Sequence, residues 1–216
     1  RKLMPLEVGK AAIDFLLENS GSRRNLELDF FGGEPLMNFD VVRQVVEYAR
    51  SKEKAYNKNF RFTITTNGLL LTDDKIDFIN REMSNVVLSL DGRKEVNDRL
   101  RVRVNGDGCY DRIVPQYQKL VAQRGEKDYY ARGTFTKYNL DFTQDVLHMA
   151  DLGFDQVSVE PVVSDVKLDY SIKEEDLPRV FEEYETLAKT LIDRKKKGKG
   201  FNFFHFMLDL DQGPCA

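Results

Sequence analysis

LELDFFGGEP, Leu26 to Pro35, is the stretch that decides the fold. Its opening residues are apolar and strand-prone, and they run straight into two glycines and a proline. A buried strand that opens into a loop reads this way. Gly32 and Gly33 have no side chains, so the backbone there can come close to a ligand and offer its own donors and acceptors. Glu34 is an acceptor-only carboxylate at neutral pH, suited to an ammonium group, and Pro35 ends sheet hydrogen bonding and fixes the turn. A ligand carrying an amine fits such a turn, although the same four residues taken alone are equally a plain strand-ending turn.

Outward from this strand, apolar runs alternate with segments of helical period. Upstream, Leu6 to Glu18 sets Leu6, Ile13, Leu16 and Leu17 on one face and stops at Ser20-Gly21-Ser22, which predicts a helix. Downstream, Asn38 or Asp40 caps a helix carrying Val41, Val42, Val45, Val46 and Tyr48. Strands follow over Phe60–Thr65, Val86–Leu90, Tyr129–Phe135 and Gln156–Val162. Helices alternate with them over Asp73–Arg81, Tyr110–Gln123 and Asp141–Leu152, and a last helix covers Glu174–Arg194. Five strands in this alternation predict a parallel α/β sheet, wound by right-handed crossovers into an open sheet or a barrel. The aromatic run Phe201–Leu210 is expected to lead out of the domain.

Composition narrows the function classes. The chain has 216 residues, 41% of them hydrophobic, enough for one sizeable core. Its 33 basic and 36 acidic side chains leave a net charge of -3, and the one dense basic run, Arg194 to Lys199, suits a helix C-terminus. A nucleic-acid partner is disfavoured. No apolar run approaches the roughly 18 residues that span a bilayer, and no signal peptide opens the chain, so a soluble, cytoplasmic protein without a membrane partner is expected. The chain opens at Arg1 and stops after Gly213-Pro214-Cys215-Ala216, and it reads as a segment of something longer.

In parallel α/β folds ligands gather at the carboxyl ends of the strands. The five predicted ends read Gly32-Gly33-Glu34-Pro35, Thr65-Thr66-Asn67-Gly68, Ser89-Leu90-Asp91-Gly92, Thr134-Phe135-Thr136 and Glu160-Pro161. Ser89 and Asp91 are two apart, so both project to one side of a strand, where hydroxyl and carboxylate suit ribose hydroxyls. Asp91-Gly92 and Asn67-Gly68 are also ordinary turn pairs. Arg99, Arg101 and Arg103 follow, any of which can hold a carboxylate, while solvation is the commoner fate of at least two.

Four ordered stretches, FFGGEPLMNFD (30–40), ITTNGLLLT (64–72), LSLDGRKEVNDRLR (88–101) and VEPVV (159–163), resemble the radical SAM superfamily. Within it the chain resembles peptide-modifying enzymes with a SPASM-type C-terminal extension. ARGTFTKYNLDFTQDVLHMADLGF (131–154) and FNFFHFMLDLDQGPC (201–215) are similar to the maturases of six-cysteine (SCIFF) peptides. The resemblance implies a partial (β/α)6 TIM-like barrel over residues 1–197, lacking its first strand and cluster loop. Residues 198–216 would form a linker into an auxiliary-cluster region.

It implies an enzyme that binds S-adenosylmethionine at a 4Fe-4S cluster and releases a 5'-deoxyadenosyl radical. That radical would form thioether crosslinks in a ribosomally synthesised, cysteine-rich precursor peptide, with flavodoxin or ferredoxin as electron donor. Sulfatase maturation, carbon-carbon crosslinking and a cluster-less binding barrel are the alternatives. By the same resemblance Gly32, Gly33, Glu34 and Pro35 contact the methionyl amino group. Ser89 and Asp91 contact ribose or the methionyl carboxylate, Arg101 and Thr134 support them, and Asn67 shapes the same pocket. The family's CxxxCxxC cluster loop is absent from the sequence, so this chain alone is expected to be inactive. Cys215, at a Gly-Pro-Cys turn, maps to a first ligand of a possible auxiliary 4Fe-4S cluster. Cys109, His148 and His205 read as structural.

Overall fold

The computed structural model describes residues 2–207. The chain is an α/β protein of six strands, β1 Asn25–Phe30, β2 Asn59–Thr66, β3 Asn85–Ser89, β4 Asp128–Phe135, β5 Gln156–Pro161 and β6 Asn202–Phe203. They lie in the sheet in the order in which they occur in the chain. The helices are α1 Leu6–Asn19, α2 Phe39–Tyr56, α3 Asp73–Glu82, α4 Lys94–Leu100, α5 Tyr110–Ala122, α6 Thr143–Asp151 and α7 Leu177–Lys196. No described helix is long and apolar enough to cross a membrane.

Two compact units divide the chain. The first holds residues 1–88 and 119–129. Here β1 pairs with β2 in parallel, Leu28 opposite Phe62, and β2 with β3, Ile64 opposite Val86. Strand period places Phe60, Phe62, Ile64 and Thr66 on one buried face of β2, where Phe60 and Phe62 stack at 5.9 Å. Ile13 of α1, Val45, Val46 and Ala49 of α2, and Ile76 and Ile79 of α3 are buried with them. Burying each large side chain is worth about 1.5–3 kcal/mol.

The second unit holds residues 89–118 and 130–216. β4 pairs with β5 in parallel, Thr134 opposite Glu160, and β5 with β6. Alternation along β4 buries Tyr129, Ala131, Gly133 and Phe135 on one face and leaves Arg132 and Thr134 on the other. Phe135 stacks on Phe142 at 4.2 Å, and Tyr184 of α7 meets Phe142 edge-on.

Two expectations need correction. The aromatic run after Gly200 does not simply leave the domain. Asn202 and Phe203 add a sixth strand beside β5, because Phe203 finds a buried place there. A seven-residue helix, α4, also forms where the sequence pattern assigns no element, since its one fully buried side chain is the polar Asn97.

Candidate functional site

In the first unit, Gly32 and Gly33 both take positive φ, 91° and 59°, a region that costs any other residue about 1–2 kcal/mol. Open space lies where their side chains would stand. The turn borders a largely apolar cleft of about 400 Å³, flanked by Leu3, Met4, Phe31, Pro35 and Met37. Glu34 is held more tightly than the sequence suggests. Its Oε1 accepts from Leu36 N at 3.0 Å and Thr66 Oγ1 at 2.9 Å, and its Oε2 accepts from Asn67 N at 2.7 Å. Three of about four acceptor positions are thus filled by the chain itself. The carboxylate caps the short 3-10 helix Pro35–Asn38 and ties the glycine turn to the end of β2. Asn67 adds an Asx turn through Leu69 N. The structure therefore brings Gly32, Gly33, Glu34, Pro35 and Asn67 together.

In the second unit, Ser89 is half-buried and its carbonyl accepts from Tyr117 Oη at 3.2 Å. Asp91 lies past the end of β3 and is buried. Its carboxylate receives Arg101 Nε at 2.7 Å and Nη2 at 2.8 Å, and Thr134 N at 2.9 Å. Burial would lower the Arg101 pKa, but the Asp91 hydrogen bond and charge outweigh it and raise it. The three arginines are now distinguished. Arg99 lies over the Tyr138 ring at 3.5 Å, Arg103 bonds Gly108 O and Asp107, and Arg101 is seated on Asp91. Asp91, Arg101 and Thr134 are brought together, although the oxygens read as ribose acceptors are largely taken up by protein donors.

Some positioning groups were missed in the sequence. Asn97, fully buried, accepts from Asp91 N through Oδ1 at 3.3 Å and from Arg101 N through its carbonyl at 2.9 Å. Gly92 is not an ordinary turn glycine: at φ 124°, a Cβ there would meet Asp145 Cβ at 2.3 Å. Fully buried Asp145 accepts from Arg93 N and Nε and from Asn139 Nδ2, and this pairing raises the Arg93 pKa. Gly133 gave no signal either, yet its Cβ would stand 2.6 Å from Leu90 O.

Cys109 is buried, and its Sγ accepts from Asn97 Nδ2 at 3.4 Å. His148 bonds Tyr110 Oη, and His205 packs among Phe203, Phe204 and Tyr184. Cys215 lies outside the described residues. Among the described residues no three metal-ligating side chains cluster.

The glycine turn and the seated polar groups thus lie at the ends of strands in a parallel α/β sheet. Residues 4–126, more than half of the chain, match the Radical SAM superfamily, and the chain belongs to that superfamily. An uncharacterized protein of Methanocaldococcus jannaschii is 34% identical over 105 residues, 49% of this chain and 35% of its own length. A cysteine-type anaerobic sulfatase-maturating enzyme of Clostridium novyi is 32% identical over 94 residues, 43% of this chain and 25% of its own length. The solved structure of native anSMEcpe with bound AdoMet and Kp18Cys peptide aligns with a TM-score of 0.82 at 18% identity. That alignment covers 94% of this chain and 56% of that one, and it establishes a common fold. The chain thus spans about a third or less of the two curated relatives and about half of the solved chain.

Proposed function

We propose that this chain is the S-adenosylmethionine-binding portion of a radical SAM peptide maturase that forms thioether crosslinks in a ribosomally synthesised, cysteine-rich peptide. The Gly32-Gly33-Glu34 turn carries the reading. Two consecutive glycines at positive φ face open space, and a carboxylate locked by three protein donors holds them in place. This fits the methionyl amine of S-adenosylmethionine, which the glycine backbone can meet without side-chain obstruction. Pro35 fixes the exit of the turn, and Asn67 is held in the same cluster by Glu34. In the second unit, Arg101 offers a guanidinium edge to a carboxylate, with Ser89 and Thr134 at neighbouring strand ends.

Membership of the superfamily implies a 4Fe-4S cluster beside S-adenosylmethionine. The residues of this chain do not fit that cluster. The sequence has two cysteines, one of them buried against Asn97, too few thiolates to hold it. In the complete protein, one electron delivered to bound S-adenosylmethionine would break its sulfonium–C5' bond, giving methionine and the 5'-deoxyadenosyl radical. The chain's own residues bind and orient S-adenosylmethionine.

A peptide substrate is supported by the relatives' own names, one a sulfatase-maturating enzyme and another holding a cysteine-containing peptide beside AdoMet. In this reading the residues past β6 lead toward a SPASM-type region with auxiliary clusters, and Cys215 is its first ligand. The electron donor is a flavodoxin or ferredoxin, and the work is done in the cytoplasm.

The test is anaerobic reconstitution of the complete protein with iron and sulfide, followed by S-adenosylmethionine, a one-electron reductant such as dithionite, and a six-cysteine peptide. 5'-Deoxyadenosine should form, and mass spectrometry should find the peptide lighter by two hydrogens per crosslink. Cofactor cleavage with a product of another mass would move the assignment to another maturase chemistry. No cleavage would defeat it.

A further inference from the structure

We infer that the two-stranded ribbon over residues 100–108, within the second unit, is a docking edge for the substrate peptide. The peptide adds to it as an extended strand and lays its apolar side chains on Leu100, Val102 and Val104. The inference rests on the peptide-maturase reading above and names the surface that holds that peptide.

From residue 99 to 104 the chain alternates arginine with an apolar residue, and the structure sorts the two sets. Arg99 stacks on Tyr138, Arg101 is seated on Asp91, and Arg103 bonds Gly108 O and Asp107, so all three turn to the chain's own groups. Leu100, Val102 and Val104 are left 45, 54 and 110% exposed. Single exposed apolar residues are ordinary, but three at alternate positions form a row such as a strand presents to a partner.

The backbone beneath this row is unfilled as well. Val102 pairs with Gly108 in an antiparallel bridge, and the next residue, Arg103, donates its N–H to Asp107 O at 2.8 Å. Hydrogen-bonded and non-hydrogen-bonded pairs alternate in an antiparallel ladder, so Val102 sits in a non-bonded pair and turns its N–H and C=O outward. Neither group has a partner among the described residues. An outward donor and acceptor flanked by apolar side chains suit the backbone of an extended chain. At one end of the row, Leu100 borders a cleft of about 300 Å³ together with Asp91, Thr134 and Tyr138. A strand laid on the ribbon therefore has one end at the polar groups of the second unit.

Charge favours a peptide over a second copy of the chain. Two ribbons paired antiparallel about Val102 would set Arg101 of each opposite Arg103 of the other, and like charges directly opposite are destabilising. A peptide with uncharged or acidic residues at those positions meets no such repulsion.

Hydrogen exchange on the complete, cluster-reconstituted protein with S-adenosylmethionine, with and without a six-cysteine peptide, tests the edge. Fragments spanning residues 100–104 should exchange rapidly alone and slow by about tenfold or more when the peptide is added. Val102→Pro removes the outward N–H, a change that edge strands tolerate. It should raise the peptide KM about 3- to 10-fold and leave kcat within about twofold. If that variant fails to fold, Val104→Asp, at a fully exposed side chain, keeps the test. It should raise the KM by a similar factor while S-adenosylmethionine affinity stays within about twofold. Protection that is present without peptide and grows with protein concentration would mark a second copy and overturn the inference. Unchanged exchange and unchanged KM, with crosslinks still forming, would overturn it alone. Unaltered protein that crosslinks no six-cysteine peptide would overturn the maturase reading together with it.

Discussion

Glycines that look alike in the sequence do different work in the structure. Gly32 is open on the side where a Cβ would stand, so Gly32→Ala should cost only its backbone strain, about 1–2 kcal/mol. Gly92 is crowded by Asp145, and Gly92→Ala should cost about 3 kcal/mol or more and disturb the Asp145–Arg93 pairing. Urea unfolding of the two variants measures the difference; equal losses would contradict it. Glu34→Ala removes three hydrogen bonds and releases the turn, so S-adenosylmethionine affinity in the complete protein should fall at least about tenfold by calorimetry. Glu160 gives a pH signature. Its hydrogen bond to Arg132 holds its pKa below the ordinary 4.5. A depressed carboxyl pKa contributes stability fully above the unfolded value and loses it as pH falls through the folded one. The stability difference between wild type and Glu160→Gln should therefore be flat above about pH 5.5 and shrink below pH 4.5. It should also be small, because the pair is partly solvated.

Elements were legible where they bury apolar side chains with a clear period. β2 shows its face at Phe60, Phe62 and Ile64, and α2 at Val42, Val45, Val46 and Ala49. α4 and β6 were not legible, because one is built around a buried asparagine and the other is two residues long. Helix ends also depend on distant partners. The N-terminus of α6 is capped from α7, where Glu183 Oε1 accepts from Thr143 N at 3.1 Å while Arg179 holds the other carboxylate oxygen. Glu183→Ala should destabilise the protein by about 1–2 kcal/mol, which a thermal melt against wild type can test. Arg124 plays a comparable part in the first unit, donating to Asp128 O, Met83 O and Asn80 Oδ1. Burial pushes its guanidinium down to about 10.

On the scale of the whole molecule, a ligand that binds only the folded state must stabilise it. S-adenosylmethionine at about 100 times its dissociation constant should add about 2.7 kcal/mol, seen as a rise in the unfolding temperature of the complete protein. No shift at any concentration would count against the binding site. The parallel α/β class was readable without coordinates, as was the gathering of polar side chains at strand ends, because side-chain period and turn chemistry are local properties. The Gly32–Pro35 turn was legible for the same reason. The partners of Glu34 and Asp91 were not. Both carboxylates read as ligand acceptors in the chain, and both are occupied by donors from residues up to 43 positions away. Whether an acidic side chain meets a ligand or the protein's own amides depends on what the fold brings within 3 Å of it, and only the tertiary structure decides that.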